Sequence, residues 1–188
     1  MSRPRSQDRR TAILSAATHV IAAQGPGAAT AAIAKEAGVS NGSLFLYFDT
    51  KATLLNELYV ALKTEMGAAA IDGLPIESDA REQVLHMWNR WLHWATSFPQ
   101  KRRALAHLAV SDDITAESHR IVSSAFSGIA DLLERSRVNG PMREAPLDFV
   151  LALTSAIADA TTDAMIRDPD QADDNGRIAF DVIWRMLA

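Results

Sequence analysis

Small polar residues are concentrated in the segment AGVSNGSLFLYF, which runs from Ala37 to Phe48. Ser40, Gly42 and Ser43 would let the backbone of a short helix approach another molecule closely. The side-chain amide of Asn41 can pair with the donor and acceptor atoms on the edge of an adenine base. Capping its own helix is an equally good interpretation of Asn41. The spacing therefore favours close recognition of a partner at this segment.

No group of residues has the spacing of an enzyme active site. The chain has carboxylates and five histidines, but no glycine-rich phosphate loop or nucleophile motif organises them. His86 and His93 are seven residues apart without a carboxylate at i+3 or i+4, which favours surface or pocket histidines over metal ligands. Cysteine is absent, which excludes disulfides and thiolate zinc sites. We therefore expect no catalytic residues, no metal and no cofactor.

Apolar residues repeat with helical spacing along nearly the whole chain, and no stretch alternates with the period of a strand. The pattern predicts an all-α fold of about nine helices. A short helix capped by Ser40 or Asn41 precedes a longer one capped by Thr50. The other predicted helices are residues Asp8–Gln24, Thr30–Ala37, Ala80–Ser97, Gln100–Val110, Thr115–Arg137, Leu147–Arg167 and Asp174–Leu187.

Two of the short helices are joined by AGVS, which is the pattern of a helix-turn-helix. Gly38 permits the sharp turn by taking a left-handed conformation, and Val39 is expected between the two helices. Leu44 and Phe48 are four residues apart and should hold the second helix in the core. Its N-terminal residues could then enter the major groove of DNA.

The stretch IAKEAGVSNGSLFLYFDTKATLL, from Ile33 to Leu55, resembles the DNA-binding signature of the TetR family of bacterial transcriptional regulators. The preceding AILSAATHVIAAQG resembles the first helix of that family. The resemblance covers about the first 60 residues and implies a DNA-binding domain at 1–51 and a ligand-binding and dimerisation domain at 52–188. It implies DNA contacts from Thr30, Ser40, Asn41, Gly42, Ser43, Phe45, Tyr47 and Lys51.

The resemblance also implies individual roles. Tyr47 would contact a phosphate, and Lys51 would meet another at the N-terminus of its helix. The chain departs from the family at Phe45, where a tyrosine is usual, which puts one phosphate hydrogen bond in doubt. The expected threonine is displaced as well, because Ala29 occupies its position and Thr30 follows.

Charge is distributed unevenly, although the net charge is only −4. Residues 1–51 carry six basic and three acidic side chains, and the remainder carries 13 basic and 20 acidic ones. A basic N-terminal segment suggests an anionic partner there. Four arginines, Arg3, Arg5, Arg9 and Arg10, could reach DNA or form a solvated tail.

The segment HMWNRWLHWATSFP places Trp88, Trp91 and Trp94 three residues apart, so this helix is apolar on more than one side. A buried central helix is the simplest interpretation, and the wall of a ligand pocket is the alternative. The resemblance implies a pocket for a small inducer among the central helices. Its candidate residues are Trp88, Trp91, His107, Phe126 and Asp159.

Residues Leu147–Arg167 are crowded with small side chains that would let another helix approach closely. The last helix has apolar residues on two faces, which suggests that one packs on the body and the other meets a partner subunit. One face carries Phe180, Ile183, Trp184 and Leu187, and the other carries Ile178, Val182 and Met186. The resemblance implies that these two helices form a four-helix dimer interface.

Together with these patterns, the resemblance implies a cytoplasmic, homodimeric repressor that binds an inverted repeat in double-stranded DNA and is released by an unidentified small molecule. No continuous apolar run approaches the roughly 18 residues that span a bilayer, so no membrane partner is expected. The alternative hypothesis is a helical ligand carrier or adaptor that does not bind DNA.

Overall fold

The computed structural model describes the backbone of residues 3–188 and the side chains of residues 7–188. Within that part of the chain all regular structure is helical, as predicted. There are ten α-helices and one turn of 3₁₀ helix at Pro169–Gln171. The α-helices are α1 (Arg3–Gln24), α2 (Thr30–Glu36), α3 (Asn41–Leu44), α4 (Lys51–Ile71), α5 (Ala80–Ser97), α6 (Pro99–Ala109), α7 (Ala116–Ala125), α8 (Ser127–Arg137), α9 (Leu147–Arg167) and α10 (Ala172–Leu187).

The single helix predicted at Thr115–Arg137 is instead two helices, α7 and α8, which are interrupted at Phe126. Phe126 has φ −98° and ψ 7° and precedes the first residue of α8. Its ring lies against the backbone of Gly67, where a methyl group would come within 2.6 Å of the ring carbon Cζ. Glycine at position 67 therefore makes room for the aromatic ring at the break.

The chain forms two compact units. The N-terminal unit contains the residues up to Glu65 together with Phe98–Ser123. The C-terminal unit contains Met66–Ser97 together with Ser124–Ala188. This structural division falls within α4, whereas the boundary between DNA-binding and ligand-binding functions after residue 51 stays a prediction.

In the N-terminal unit, α1 packs against α2 and α6. Alanines make close packing possible, because Ala17 of α1 and Ala104 of α6 are both fully buried. Burying such an apolar interior is the main favourable term in folding. The large side chains that fill this core are Ile13, Ile21, Ile33, Leu44, Phe48, Leu54, Leu55, Leu58 and Leu108.

In the C-terminal unit, α5 packs against α8, α9 and α10. Trp88 is buried in this core, and its indole N–H donates a 2.9 Å hydrogen bond to the carbonyl of Gly176 in α10. A methyl group at Gly176 would lie 3.5 Å from Leu92 Cδ1, so α5 and α10 approach closely here. Trp88 thus satisfies its polar atom while burying its ring.

The loop between α8 and α9 is held by the buried side chain of Arg137. Its guanidinium donates to the carbonyls of Met142, Arg143 and Ala145, and pairs with both carboxylate oxygens of Glu134 at 3.0 and 2.6 Å. These bonds satisfy a charge that would be costly to bury alone. They fix the loop that leads into α9.

Candidate nucleic-acid interface

The turn between α2 and α3 has the predicted helix-turn-helix geometry. Ile33 and Ala34 of α2 are buried, and the N–H of Val39 donates to the carbonyl of Ala34 at 2.9 Å. Gly38 has φ +67°, which confirms the left-handed conformation expected of it. Because a side chain at this φ would be strained, glycine allows the chain to turn directly from α2 into α3.

Ser40 caps α3, which decides between the two predicted caps. The N–H of Ser43 donates to Ser40 Oγ at 3.0 Å, and the two serine hydroxyl oxygens are 2.8 Å apart. Asn41 is the first residue of the helix and is exposed. Its amide is therefore not the capping group of α3, and its contact with a base stays a prediction.

Leu44 and Phe48 are both fully buried, as predicted from their spacing. Beyond α3, the N–H groups of Leu46 and Phe48 donate to the carbonyls of Ser43 and Leu44 at 3.2 Å each, so the helical path continues to Phe48. We call residues 40–48 the recognition segment. Two large apolar side chains thus anchor its inner side in the core. Its opposite side is exposed at Ser40, Asn41 and Gly42.

The other predicted DNA contacts surround this segment. Thr30 begins α2 and is half-buried, as are Ser43, Tyr47 and Lys51, whereas Phe45 is 38% exposed. Thr50 caps α4 as predicted, because Thr53 N–H donates to its hydroxyl oxygen at 3.0 Å. Lys51 is the first residue of α4, and a cation beside a helix N-terminus provides a favourable position for a phosphate.

Arg10 makes contacts within the protein. Its guanidinium lies 4.9 Å from the centre of the Phe48 ring and pairs with Glu57 of α4. This cation–π contact covers the ring that supports the recognition segment. Of the other arginines considered for DNA contact, Arg9 is exposed, and the side chains of Arg3 and Arg5 lie outside the described residues.

Comparison with known proteins identifies this arrangement. Residues 13–58 match the family model of bacterial regulatory proteins of the tetR family. Residues 13–58 thus have the DNA-binding helix-turn-helix of the tetR family. The match begins within α1, covers α2 and α3, and ends in the third turn of α4. It therefore includes the eight predicted DNA contacts from Thr30 to Lys51, and it gives the chain the helix-turn-helix of DNA-binding transcription regulators.

Solved structures extend the TetR-family fold to both units. A TetR-family regulator from Shewanella sp. PV-4 is 25% identical, with a TM-score of 0.85 over 96% of this chain and 98% of the other. One from Marinobacter aquaeolei VT8 is 21% identical, with a TM-score of 0.81 over 99% and 98%. FadR from Bacillus subtilis, solved in complex with stearoyl-CoA, is 17% identical, with a TM-score of 0.67 over 95% and 97%.

The five candidate ligand residues fall in both units. Trp88 and Trp91 meet edge to face with ring centroids 6.2 Å apart, although Trp88 is buried and Trp91 half-buried. Phe126 is half-buried at the interruption between α7 and α8, and Asp159 is exposed on α9. His107 is half-buried in α6, in the N-terminal unit. Trp88 is part of the apolar core, and its contact with a ligand stays a prediction.

A second exposed surface lies on α9 and α10. Phe180, Ile183 and Leu187 are buried, whereas Ile178 and Val182 of the same helix are 55% and 50% exposed. The two predicted faces of α10 therefore differ in burial at these positions, whereas Trp184 of one face and Met186 of the other are both partly buried against the core. In α9 the most apolar window of 18 residues is only 22% buried, and by length and composition alone this helix could cross a membrane.

Two residues of the folded N-terminal unit, Leu46 and Asn56, were not predicted from the sequence. Leu46 is 83% exposed immediately beyond α3. Asn56 of α4 bonds to residues near the start of α7, 57 to 62 positions away in the chain. The signal for Leu46 was present, because it lies midway between Leu44 and Phe48 and so faces away from the core. No local pattern indicates the bonds of Asn56.

Proposed function

We propose that this protein is a ligand-responsive transcriptional repressor that binds an inverted repeat in double-stranded DNA as a homodimer. The observation that carries the proposal is the recognition segment, with Leu44 and Phe48 buried behind it and Ser40, Asn41 and Gly42 exposed in front. A helix held in this way can present its N-terminal residues to base edges in the major groove.

Individual contacts follow from chemistry and position. Asn41 would pair with an adenine through its amide, because Ser40 already caps α3. Lys51 and Tyr47 would contact phosphates beside the groove and so set the orientation of the helix. Thr30, Gly42, Ser43 and Phe45 would complete the contact surface.

Dimerisation is supported by the open apolar face of α10 and by the exposed apolar surface of α9. Ile178 and Val182 are half-exposed on a helix whose Phe180, Ile183 and Leu187 are buried, and a second subunit would bury the two exposed residues. Partner-subunit packing also accounts for the apolar character of α9 without a membrane. Two recognition segments related by a twofold axis would match an inverted repeat.

The inducer is expected to be a small, largely apolar molecule. FadR from Bacillus subtilis, with a similar fold, holds stearoyl-CoA. In this chain the candidates remain Trp88, Trp91, His107, Phe126 and Asp159. A molecule that binds the DNA-free form of the protein more tightly than the DNA-bound form would release the operator. This difference in affinity is what couples the ligand site to the DNA site. We expect such a regulator to act in the cytoplasm without enzymatic activity.

Selection of bound duplexes from a random DNA pool tests the proposal. We expect an inverted repeat with half-sites about one helical turn apart or more, bound by two subunits. Its affinity, measured by fluorescence anisotropy, should fall steeply between 50 and about 200 mM salt. A helical carrier or adaptor would enrich no duplex and would show no retention on DNA at low salt.

A further inference from the structure

Leu46 is an aliphatic side chain displayed on the outer side of the recognition segment. It is 83% exposed, whereas Leu44 and Phe48 on either side of it are fully buried. The hydrogen bonds from Leu46 to Ser43 and from Phe48 to Leu44 keep the segment helical, so successive side chains turn by about 100°. Leu46 therefore points almost directly away from the core.

Gly42 lies four residues before Leu46 and so shares its face of the helix. Because Gly42 has no side chain, the outer face consists of bare backbone at one turn and a leucine at the next. Phe45, 38% exposed beside it, extends the apolar surface and lacks the hydroxyl that a tyrosine would provide. This apolar surface is continuous with the exposed Ser40, Asn41 and Gly42.

The major groove offers one apolar group to such a side chain, the 5-methyl group of thymine. The sugar–phosphate backbone would instead contact leucine without regard to sequence. We propose that Leu46 contacts a thymine methyl group in each half-site of the operator and thereby contributes to sequence specificity. This inference rests on the proposed function, and it adds an apolar specificity contact to the polar one assigned to Asn41.

Uracil in place of thymine removes the methyl group and leaves base pairing intact. Each thymine of the selected operator is replaced in turn by uracil, at the equivalent position of both half-sites. Affinities for the intact dimer are measured by fluorescence anisotropy at one fixed salt concentration. The proteins compared are the parent, Leu46→Ala, and Ile76→Ala as a control. Ile76 is 73% exposed in the loop between α4 and α5 and so provides a matched loss of an exposed aliphatic group.

For the parent and Ile76→Ala, we expect one thymine position at which uracil weakens binding about fourfold per half-site, the effect of one buried methyl-sized group. Leu46→Ala should bind the thymine operator more weakly and should not distinguish thymine from uracil at that position. Because Leu46 is exposed, the variant should unfold at the same temperature as the parent.

Two results would overturn the inference while leaving the proposed function intact. One is a parent protein that binds every uracil-substituted operator like the thymine operator. The other is a Leu46→Ala protein that binds more weakly yet keeps the full preference for thymine, since Leu46 would then contact the backbone alone. Failure of the pool to yield any duplex would instead overturn the proposed function, and this inference with it.

Discussion

The side-chain oxygen of Asn56 accepts the backbone N–H of Thr115 at 2.8 Å. Ser118 donates its hydroxyl to the same oxygen at 2.7 Å, and the Asn56 amide nitrogen donates to the Asp113 carbonyl at 2.8 Å. One side chain of α4 thus satisfies polar groups at the start of α7 that would otherwise need water or a local cap. Asn56, in the helix α4 that follows the recognition segment, therefore helps to fix the position of the start of α7.

Replacing Asn56 by aspartate should destabilise the N-terminal unit. The new carboxylate would place a negative oxygen against the carbonyls of Ala52 and Asp113, where the amide now donates two 2.8 Å bonds. We expect a loss of about 2 kcal/mol in the free energy of unfolding, measured by urea titration. Asn89→Asp, on the exposed side of α5, is the control and should change stability little. If the two variants were equally stable, the hydrogen bonds of Asn56 would make no net contribution to the free energy of unfolding.

Lys51 and Asn41 should affect DNA binding in different ways. Lys51→Ala should weaken binding evenly across DNA sequences, because it removes a phosphate contact. The slope of the logarithm of the binding constant against the logarithm of the salt concentration should become shallower by about one. Asn41→Ala should reduce the free energy of DNA binding by about 1–3 kcal/mol and should weaken the preference for one base at one position of the half-site. Arg103→Ala removes an exposed charge from α6 and is the control. If both variants bound every duplex like the parent, the assigned orientation of α3 on DNA would be wrong.

Phe45→Tyr should strengthen operator binding by restoring the hydroxyl that is usual in the family. A hydrogen bond to a charged phosphate contributes about 1.5 kcal/mol, which corresponds to an affinity roughly tenfold higher by anisotropy. Phe98→Tyr adds the same hydroxyl to an exposed phenylalanine before α6 and should leave the affinity unchanged. An unaltered or lower affinity for Phe45→Tyr would place this ring away from any phosphate.

Val182→Glu should convert the protein to monomers. It places a charge on the open face of α10, where a partner subunit would have to desolvate it. We expect the dimer dissociation constant to rise at least about a hundredfold, or ~3 kcal/mol, in light scattering coupled to size-exclusion chromatography. Val110→Glu makes the same change at an 85% exposed position after α6 and should remain dimeric. A dimeric Val182→Glu protein would exclude this face as the interface.

Tyr59 should make stability depend on alkaline pH. Burial raises the pKa of Tyr59 above its ordinary value of 10.0, and its hydroxyl lies 3.3 Å from Nδ1 of His119. The folded state therefore keeps the phenolic proton at pH values where the unfolded chain has lost it. This contribution to stability is present below about pH 10 and decreases as the pH rises above it. Urea titrations between about pH 9 and 11.5 should show a shallower decline for Tyr59→Phe than for the parent.

A control variant that is less stable but keeps every titrating group distinguishes the effect of Tyr59 ionisation from a loss of stability that does not depend on pH. Val60→Ala, at the half-buried position directly after Tyr59 in α4, should lower stability by a similar amount at every pH. A Tyr59→Phe protein with the same alkaline slope as Val60→Ala would show that the phenol does not cause the decline.

Periodicity predicted the long helices well because their apolar spacing is a local property. The bounds Ala80–Ser97 and Leu147–Arg167 are those observed for α5 and α9. The interruption at Phe126 was not predictable from residues 115–137, since its ring packs against Gly67 in α4. The bonds of Asn56 depend on an equally distant contact. In the candidate interface, Leu44 and Phe48 followed from their spacing, whereas the choice of Ser40 as the cap required the folded geometry.

The hydrogen bond between the Ser40 and Ser43 hydroxyls has a consequence for how the operator can evolve. The hydroxyl that donates in this bond would have to give up its 2.8 Å partner before it could donate to a base, so the serine pair offers at most one free proton for discrimination between bases. Gly42 offers none. The information content of a half-site would then rest on very few side chains, and most of its positions would accumulate substitutions without loss of regulation. If the protein acts as proposed, the DNA sequences that it binds should consequently differ widely from one another.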